Sequence, residues 1–244
     1  MPDSLKKRGK HPQDPASFHS DQIPLLLAAS KDLAWLKSRG YADPSSLKLV
    51  GDRYRLNARQ RSAVARSTCS DRELEERQSR LIPVEQIGGR TVHIDGFNLL
   101  TSIEAALGGG VLLIGRDHCL RDMSSMHGNY RILDDTDVAI DLTYQFLANL
   151  APKAIHWLLD KPVSNSGRLK AKILDLATKF ENLSCDVELV PDPDPVLKAI
   201  PISSEDVIVT ADSDILDHCG HWANVSREII SSIHTPDQIL IDFS

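Results

Sequence analysis

Residues 91–98, TVHIDGFN, decide how the second half of the chain is expected to fold. The run TVHID is short, β-branched and largely apolar, a composition that favours a buried strand. Gly96 then lets the backbone approach a ligand closely, and Asn98 stands just inside an apolar helix that follows. A strand that ends on an acid and leads directly into a helix predicts a βα unit of a parallel sheet.

The alternation of short apolar strands and helices continues to the end of the chain. Strands are predicted at residues 91–95, 154–160, 187–190, 207–212 and 238–243. Helices are predicted at residues 134–150, 167–183 and 214–218. The pattern predicts an α/β fold with a parallel sheet covered by helices on both faces. Residues 108–131, which begin with three glycines, interrupt the pattern and are predicted to be an inserted hairpin or lid.

Four of these strands end on, or just before, an aspartate. The carboxyl ends of parallel strands meet at one edge of a sheet, so residues distant in sequence become neighbours there. Several ionised carboxylates in one place repel each other strongly unless a cation neutralises them. Oxygen donors without thiolates favour Mg²⁺ or Mn²⁺. The acids at these strand ends, and hence the candidates for such a metal site, are Asp95, Asp160, the pair Asp192 and Asp194, and the pair Asp212 and Asp214.

Each of these aspartates also has an ordinary structural explanation when it is considered alone. Asp214 can cap the helix that it opens, and Asp192 and Asp194 can be turn residues beside prolines. The occurrence of an acid at every strand end favours the metal site over a series of separate explanations.

The first eighty residues differ in composition, with sixteen Lys and Arg residues against ten Asp and Glu. The rest of the chain has an excess of acids, and the net charge of the whole is -6. Apolar spacing, prolines and capping residues predict helices at 24–39, 43–51, 58–68 and 71–80. We therefore expect a flexible arm at 1–20, a basic helical domain at 21–83, a hinge at Gly88 and Gly89, and an α/β domain at 90–244.

An acidic site that acts on a polyanion needs basic groups nearby to hold its substrate. The predicted helical domain supplies a run of arginines, of which Arg59 and Arg66 are seven residues apart and share a helix face. Arginines bind phosphates irrespective of base sequence, and Tyr54 can stack on a base. The alternative is a solvated helix whose arginines pair with acids of the same chain. The arginines predicted to bind substrate are Arg53, Arg55, Arg59 and Arg66.

Further polar residues near the strand ends are predicted to bind substrate. Asn98 can orient a carboxylate or a phosphate. Ser164, Asn165 and Arg168 open a helix whose backbone N–H groups can hold a phosphate, although a simple N-cap turn explains them equally well. Within residues 108–131 the candidates that could clamp substrate are Arg121, His127 and Arg131.

Several classes of protein are disfavoured by the sequence. No apolar run reaches the roughly 18 residues of a membrane span, and no apolar stretch follows the basic start as in a secretory signal. Four cysteines without paired spacing suggest reduced thiols and hence a cytoplasmic protein. The sequence lacks the phosphate-binding motif of P-loop NTPases and the nucleophile elbow of α/β-hydrolases.

Two resemblances to known families follow from these motifs. Residues 90–244 resemble the PIN-like/NYN nuclease superfamily through IDGFNLL at 94–100, the strand ending at Asp160, and TADSDILD at 210–217. The chain also resembles the DUF434 proteins through residues 39–61 and LDKPVSNSGRLK at 159–170. The superfamily resemblance implies a PIN-like fold, a metal-dependent nuclease activity on RNA, and products with a 5′-phosphate and a 3′-hydroxyl. It also implies the metal ligands, which match the superfamily acids position by position and are Asp95, Asp160, Asp194, Asp212 and Asp214. Asp194 matches a helix acid within an atypical PDPDP context.

The function predicted from these observations is hydrolysis of phosphodiester bonds by a Mg²⁺- or Mn²⁺-dependent nuclease that acts on RNA rather than DNA. The predicted catalytic residues are Asp95, Asp160, Asp212 and Asp214. Two alternatives stay open, namely an inactive RNA-binding scaffold and a metal-dependent phosphatase with a small substrate. The oligomeric state, including a homo-oligomer, also stays open.

Overall fold

The computed structural model describes residues 7–124, 128–233, 235–236 and 238–244. Its helices are α1 (Asp14–Ser17), α2 (Ile23–Ser38), α3 (Asp43–Arg53), α4 (Ala58–Ser67), α5 (Asp71–Arg80), α6 (Gly96–Gly108), α7 (Asp134–Leu150), α8 (Ser166–Ala177), α9 (Pro193–Lys198), α10 (Ser213–Leu216) and α11 (Val225–Ser231). Its strands are β1 (Thr91–Asp95), β2 (Leu112–Ile114), β3 (Leu120–Asp122), β4 (Ala154–Asp160), β5 (Cys185–Val190), β6 (Val207–Val209) and β7 (Leu240–Asp242). In this part of the chain, no helix is both long and apolar enough to cross a membrane.

The first half is helical, as predicted, and capping residues set the starts of α4 and α5. Asn57 and Ser70 each accept a hydrogen bond from the backbone N–H three residues later and form complete capping boxes at α4 and α5. Helix α3 does not end at Gly51 but continues to Arg53. Gly51 lies inside the helix, where a Cβ atom would be 2.3 Å from the Arg61 guanidinium, so the glycine makes room for Arg61 and does not end the helix.

The second half is built on a four-stranded sheet in the order β5-β4-β1-β6, in which all neighbouring strands are parallel. Val92 and Ile94 of β1 pack on one face against α6, α7 and α8. Leu158 of β4 and Ile208 of β6 pack on the other face against α9 and α10. The predicted α/β fold with helices on both faces of a parallel sheet is therefore confirmed.

A second, three-stranded sheet has the order β3-β2-β7. Strands β2 and β3 form an antiparallel hairpin within the segment predicted as a hairpin or lid, and β7 pairs with β2 in parallel. The strand predicted at 238–243 thus joins this sheet and not the larger one. Buried residues of the second sheet pack against those of the helical half, in one cluster that contains Leu26, Leu33, Val64, Leu113, Ile241 and Phe243.

Residues 7–20, predicted to be part of a flexible arm, pack against the rest of the molecule. The Arg8 guanidinium pairs with the buried carboxylate of Glu104 and lies 4.5 Å from the centre of the Tyr130 ring. Asp14 pairs with Arg59 at 2.5 Å, and Phe18 is buried among the helices. This segment is ordered because Glu104 and Arg59 are largely removed from water and need opposite charges there.

Candidate active site

A cleft of about 420 Å³ opens at the carboxyl edge of the larger sheet. Asp95 at the end of β1, Asp160 at the end of β4 and Asp212 after β6 all line it. The remaining lining residues come from α4, α6, the β3 region and the turn before α10, and are Arg66, Phe97, Asn98, Thr101, Ser102, Arg121, Asp122, Ser124, Ala211 and Ser213. The cleft therefore brings together carboxylates that are more than fifty residues apart in sequence.

Asp95 is held from two sides. It is 7% exposed, its Oδ2 accepts a hydrogen bond from the Thr210 hydroxyl at 2.8 Å, and its Oδ1 accepts one from the Asn98 backbone N–H at 3.4 Å. The Asn98 side-chain oxygen in turn accepts a hydrogen bond from the Ala211 backbone N–H at 2.8 Å. Asn98 thereby links the start of α6 to the turn that carries Asp212.

Gly96 was expected to allow close approach of a ligand, but it serves the packing of β4. A Cβ atom at this position would lie 2.5 Å from the Leu159 side chain and 3.1 Å from the Leu158 carbonyl oxygen. The glycine is needed because α6 starts directly against the neighbouring strand.

The acids near the cleft influence one another electrostatically. Burial raises the pKa of Asp95 to about 7; the hydrogen bond from Thr210 opposes this rise, and the charge of Asp212 adds to it. Burial and the charge of Asp192 raise the pKa of Asp160. Burial, followed by the charge of Asp212, raises the pKa of Asp194. Neither Asp95 nor Asp160 has a cationic side chain among the groups that shift its pKa.

Asp212 and Asp214 are placed differently although they are two residues apart. One oxygen of Asp212 accepts the backbone N–H groups of Asp214 at 2.8 Å and Ile215 at 3.2 Å, so that Asp212 caps α10 and faces the cleft. The Asp214 side chain is 62% exposed and pairs with Lys198 and His218. The hydrogen bond from Lys198 lowers the pKa of Asp214.

The structure thus separates the predicted acids into two groups. Asp95, Asp160 and Asp212 line the cleft, whereas Asp194 and Asp214 do not. The charge of Asp194 contributes to the raised pKa of Asp95, and the Asp194 carboxylate lies 4.0 Å from the Lys198 ammonium. Over the described residues, no three His, Cys, Asp or Glu side chains stand close enough together to hold a metal ion as they are placed.

Of the arginines predicted to bind substrate in the helical half, Arg66 reaches the cleft. Its guanidinium donates to the carbonyl oxygens of Asp122 at 2.8 Å and Ser124 at 3.1 Å. Arg59 is largely buried against Asp14 and also donates to the Met123 carbonyl oxygen.

Arg53 and Arg55 do not line the cleft. The exposed Arg53 lies 3.5 Å from Asp32, and Arg55 is exposed with a left-handed backbone. Tyr54, expected to stack on a base, donates its hydroxyl to Asp32.

The predicted clamp of residues 108–131 is also placed differently. Arg121 lines the cleft, but its guanidinium is bonded to Asp117 and to the Ala211 carbonyl oxygen. Arg131 is exposed, and its carbonyl oxygen accepts a hydrogen bond from Arg8. His127 lies outside the described residues.

The predicted phosphate-binding residues at the start of α8 form hydrogen bonds with the segment at residues 129–130. The Ser164 hydroxyl donates to the Asn129 side chain at 2.6 Å, and the Asn165 amide donates to the Tyr130 carbonyl oxygen at 2.7 Å. Arg168 is exposed at the first turn of α8. These contacts occupy the polar side chains that were expected to face a phosphate.

The sequence did not predict the polar residues Thr101, Ser102, Asp122 and Ser124, which also line the cleft. Asp122 is the acid among them. This buried carboxylate accepts hydrogen bonds from the Ser102 hydroxyl at 2.9 Å and from the Ser124 backbone N–H at 2.6 Å. Thr101 and Ser102 follow Asn98 at helical spacing, which is the signal that would have found them. Asp122 lies in the glycine-interrupted segment and had no comparable signal.

Two family models match the chain, one in each half. Residues 84–228 match the model described as Domain of unknown function (DUF5616), and residues 25–80 match the model described as Protein of unknown function (DUF434). The predicted DUF434 resemblance is confirmed over its matched residues, whereas the PIN-like resemblance of residues 90–244 stays a prediction.

One curated protein and the solved structures give the remaining comparisons. The chain is 33% identical over 188 residues to "Uncharacterized protein MJ0935" of Methanocaldococcus jannaschii, a match that covers 77% of this chain and 87% of that protein. No solved structure gives a significant match.

Proposed function

The chain belongs to the DUF5616 family, and we propose from the acidic cleft that it is a metal-dependent nuclease acting on RNA. The observation that carries the proposal is the meeting of Asp95, Asp160 and Asp212 in one cleft, from the ends of three separate parallel strands. The finer assignment to the PIN-like superfamily rests on the motifs around Asp95 and Asp212 and is part of the same proposal.

The donor chemistry of the cleft suits a hard divalent cation. Asp95, Asp160 and Asp212 offer carboxylate oxygens without any thiolate, which suits Mg²⁺ or Mn²⁺. Two of them have raised pKa values caused first by burial, and Asp95 also feels the charge of Asp212, so a cation would relieve a real electrostatic cost. Although these three acids line one cleft, no three carboxylates of the described residues are close enough to share one ion as they are placed, so their side chains must rotate to bind it. When bound, the ion would activate a water and neutralise charge on the phosphoryl oxygens.

The residues of the chain have separate roles in this proposal. Thr210 and the backbone of Asn98 fix the Asp95 carboxylate, and the N–H groups of α10 fix one oxygen of Asp212. Arg66, from the helical half, brings a positive charge to the rim of an otherwise acidic cleft, where it can attract a phosphate. Asp214 has no role at the reacting centre, because Lys198 holds it outside the cleft.

A second candidate is an RNA-binding protein without hydrolytic activity. It is favoured by the ion pair of Asp214 and by the spacing of the carboxylates among the described residues. The two candidates differ in a single respect, namely whether bound RNA is cut when a divalent cation is present.

The test is incubation of the purified full chain with labelled single-stranded RNA, single-stranded DNA and a generic phosphomonoester, with Mn²⁺ or with EDTA. We expect cleavage of RNA that requires Mn²⁺ and that falls by at least about a hundredfold in Asp95→Asn and in Asp212→Asn. Asp186→Asn is the matched control, because Asp186 is an exposed carboxylate near the amino end of β5, paired with His156.

Each outcome separates the candidate functions. Tight binding of RNA without cleavage, unaffected by EDTA, would support the binding protein instead. Hydrolysis of the phosphomonoester alone would support a phosphatase. Equal activity in Asp95→Asn and the Asp186→Asn control would remove the cleft from the reaction.

A further inference from the structure

A buried ionic cluster joins the helical half to the α/β half beside the cleft. The buried ionic cluster consists of Arg77 of α5, Asp117 and Arg121 of the β2–β3 hairpin, and Asp217 after α10. Arg77 lies 2.6 Å from Asp117 and 2.6 Å from Asp217, and Arg121 contacts both oxygens of Asp117 at 2.7 and 2.6 Å. The side chains of Arg77 and Asp117 are 3% and 1% exposed, and that of Arg121 is 8% exposed.

The same guanidinium groups also hold the turn that carries Asp212. Arg121 donates from Nε to the Ala211 carbonyl oxygen at 2.9 Å and from Nη2 to the Ser213 hydroxyl at 3.3 Å. Arg77 donates to the Ser213 carbonyl oxygen at 3.3 Å. Both neighbours of Asp212 in sequence are therefore fixed by the cluster, while Asp212 itself faces the cleft.

The chemistry of the cluster points to positioning more than to stability. Buried ion pairs contribute little more to stability than well-packed apolar residues of similar size. Arginine, however, offers donors in a rigid planar fork, so that one side chain can bond a carboxylate and a carbonyl oxygen in a fixed relative orientation. A lysine at either position would keep the charge but could not keep both sets of contacts.

We propose that Arg77 and Arg121, joined through Asp117, are positioning residues that set the orientation of Asp212 in the cleft. The expected effect on catalysis rests on the proposed function. The placement of the turn at residues 211–213 does not depend on it. The inference assigns to the helical half a role in shaping the site of the other half, in addition to the rim position of Arg66.

The test compares Arg77→Lys and Arg121→Lys with Arg80→Lys. Arg80 lies on the same helix, and its guanidinium donates to the carbonyl oxygens of Glu76, Asp217 and Cys219 instead of residues 211–213. Hydrogen exchange measures the backbone amides of residues 210–216, calorimetry measures the affinity for Mn²⁺ alone, and RNA cleavage gives kcat and KM. Thermal melting verifies folding. If either lysine variant does not fold, Asp217→Asn replaces it, because Asp217 is partly exposed and its loss leaves Arg77 paired with Asp117.

We expect about tenfold faster exchange at residues 210–216, about tenfold weaker Mn²⁺ binding and a fall of kcat by 10- to 100-fold with little change of KM. Arg80→Lys should match the wild type in all three. Unchanged exchange at residues 210–216 in folded Arg77→Lys and Arg121→Lys would overturn the inference. A wild type that neither binds Mn²⁺ nor cuts RNA, but whose turn still loosens in the lysine variants, would overturn the nuclease proposal and support the positioning role.

Discussion

The acids at the sheet edge and the arginines of the helical half differ in how their charges are balanced. Asp95 accepts hydrogen bonds from uncharged groups, and burial raises the pKa of both Asp95 and Asp160. By contrast, Arg77 is buried and Arg59 is largely buried, and each lies at hydrogen-bonding distance from an aspartate. The aspartates are short and are fixed at strand ends by the backbone, whereas arginine has a long side chain and five donors with which it finds partners.

The difference shows which kind of charge marks a site. Arg53 and Arg59 of the helical half are paired with aspartates of the same half. Arg66 lines the cleft, and so does Arg121, whose guanidinium is bonded to Asp117. Carboxylates that are distant in sequence lie in one cleft, and among the described residues no cationic side chain forms an ion pair with Asp95 or Asp160. An uncompensated buried charge costs stability, so its retention points to a ligand.

The strongest way to break this comparison is to remove the shared partner of the paired arginines. Asp117→Ala leaves Arg77 and Arg121 buried without their common carboxylate. We therefore expect the free energy of unfolding to fall by about 3 to 5 kcal/mol. Chemical denaturation measures it. The exposed pair of Asp186 and His156 is the control, and Asp186→Ala should cost less than about 1 kcal/mol. Equal losses of unfolding free energy in Asp117→Ala and Asp186→Ala would mean that Asp117 does not compensate the charges of Arg77 and Arg121.

The unbalanced acids should show the opposite behaviour. Asp95 has a pKa of about 7 in the folded protein against 3.8 for its ordinary value, so the folded state binds its proton more tightly. The contribution of Asp95 to wild-type stability should therefore fall as the pH rises from about 4 to about 7. Relative to the wild type, Asp95→Asn in EDTA should gain about 3 kcal/mol over that interval and stay constant above it.

Denaturation at a series of pH values measures this gain. Asp160, which is only half-buried, should give a smaller gain when replaced by Asn. A loss of stability in Asp95→Asn at pH 8 would show that the carboxylate stabilises the fold.

The smallest expected effect concerns the arginine at the rim of the cleft. Arg66→Ala should weaken binding of single-stranded RNA about fivefold and reduce the slope of log affinity against log salt by about 0.7. Arg72→Ala is the control, because Arg72 is an exposed arginine of α5 paired with Glu76. Filter binding at several salt concentrations measures both. Equal effects of the two substitutions would exclude a specific role for Arg66.

The parts of the fold that follow from local rules were predictable from sequence. Asn57 and Ser70 mark helix starts because their side chains bond the first free N–H groups of a helix. The meeting of Asp95, Asp160 and Asp212 was predictable because the carboxyl ends of parallel strands share one edge.

The rest depended on contacts between distant residues. Asp214 turns away from Asp212 because α10 starts between them and Lys198 of α9 lies on its outer side. Arg121 bonds to Asp117 and to the Ala211 carbonyl oxygen. No local sequence pattern indicates that these groups are its partners. Strands β2 and β3 have three residues each, which is too short for a periodic signal, so the sequence predicts a hairpin or lid at 108–131 without its strand bounds. The strand at 238–243 is predicted, but its pairing with β2 is not, because the two strands are distant in sequence.

The pairing of β7 with β2 has a consequence for how this chain can be divided. Strand β7 lies beyond residue 228, where the DUF5616 match ends, and its Ile241 packs in the same cluster as Leu26 and Leu33 of the DUF434 match. A fragment limited to either match would leave apolar side chains and an open strand edge in contact with water, a combination that promotes aggregation. Homology boundaries and cooperative units of unfolding therefore do not coincide here, and both matched segments and the last strand are expected to melt in one transition.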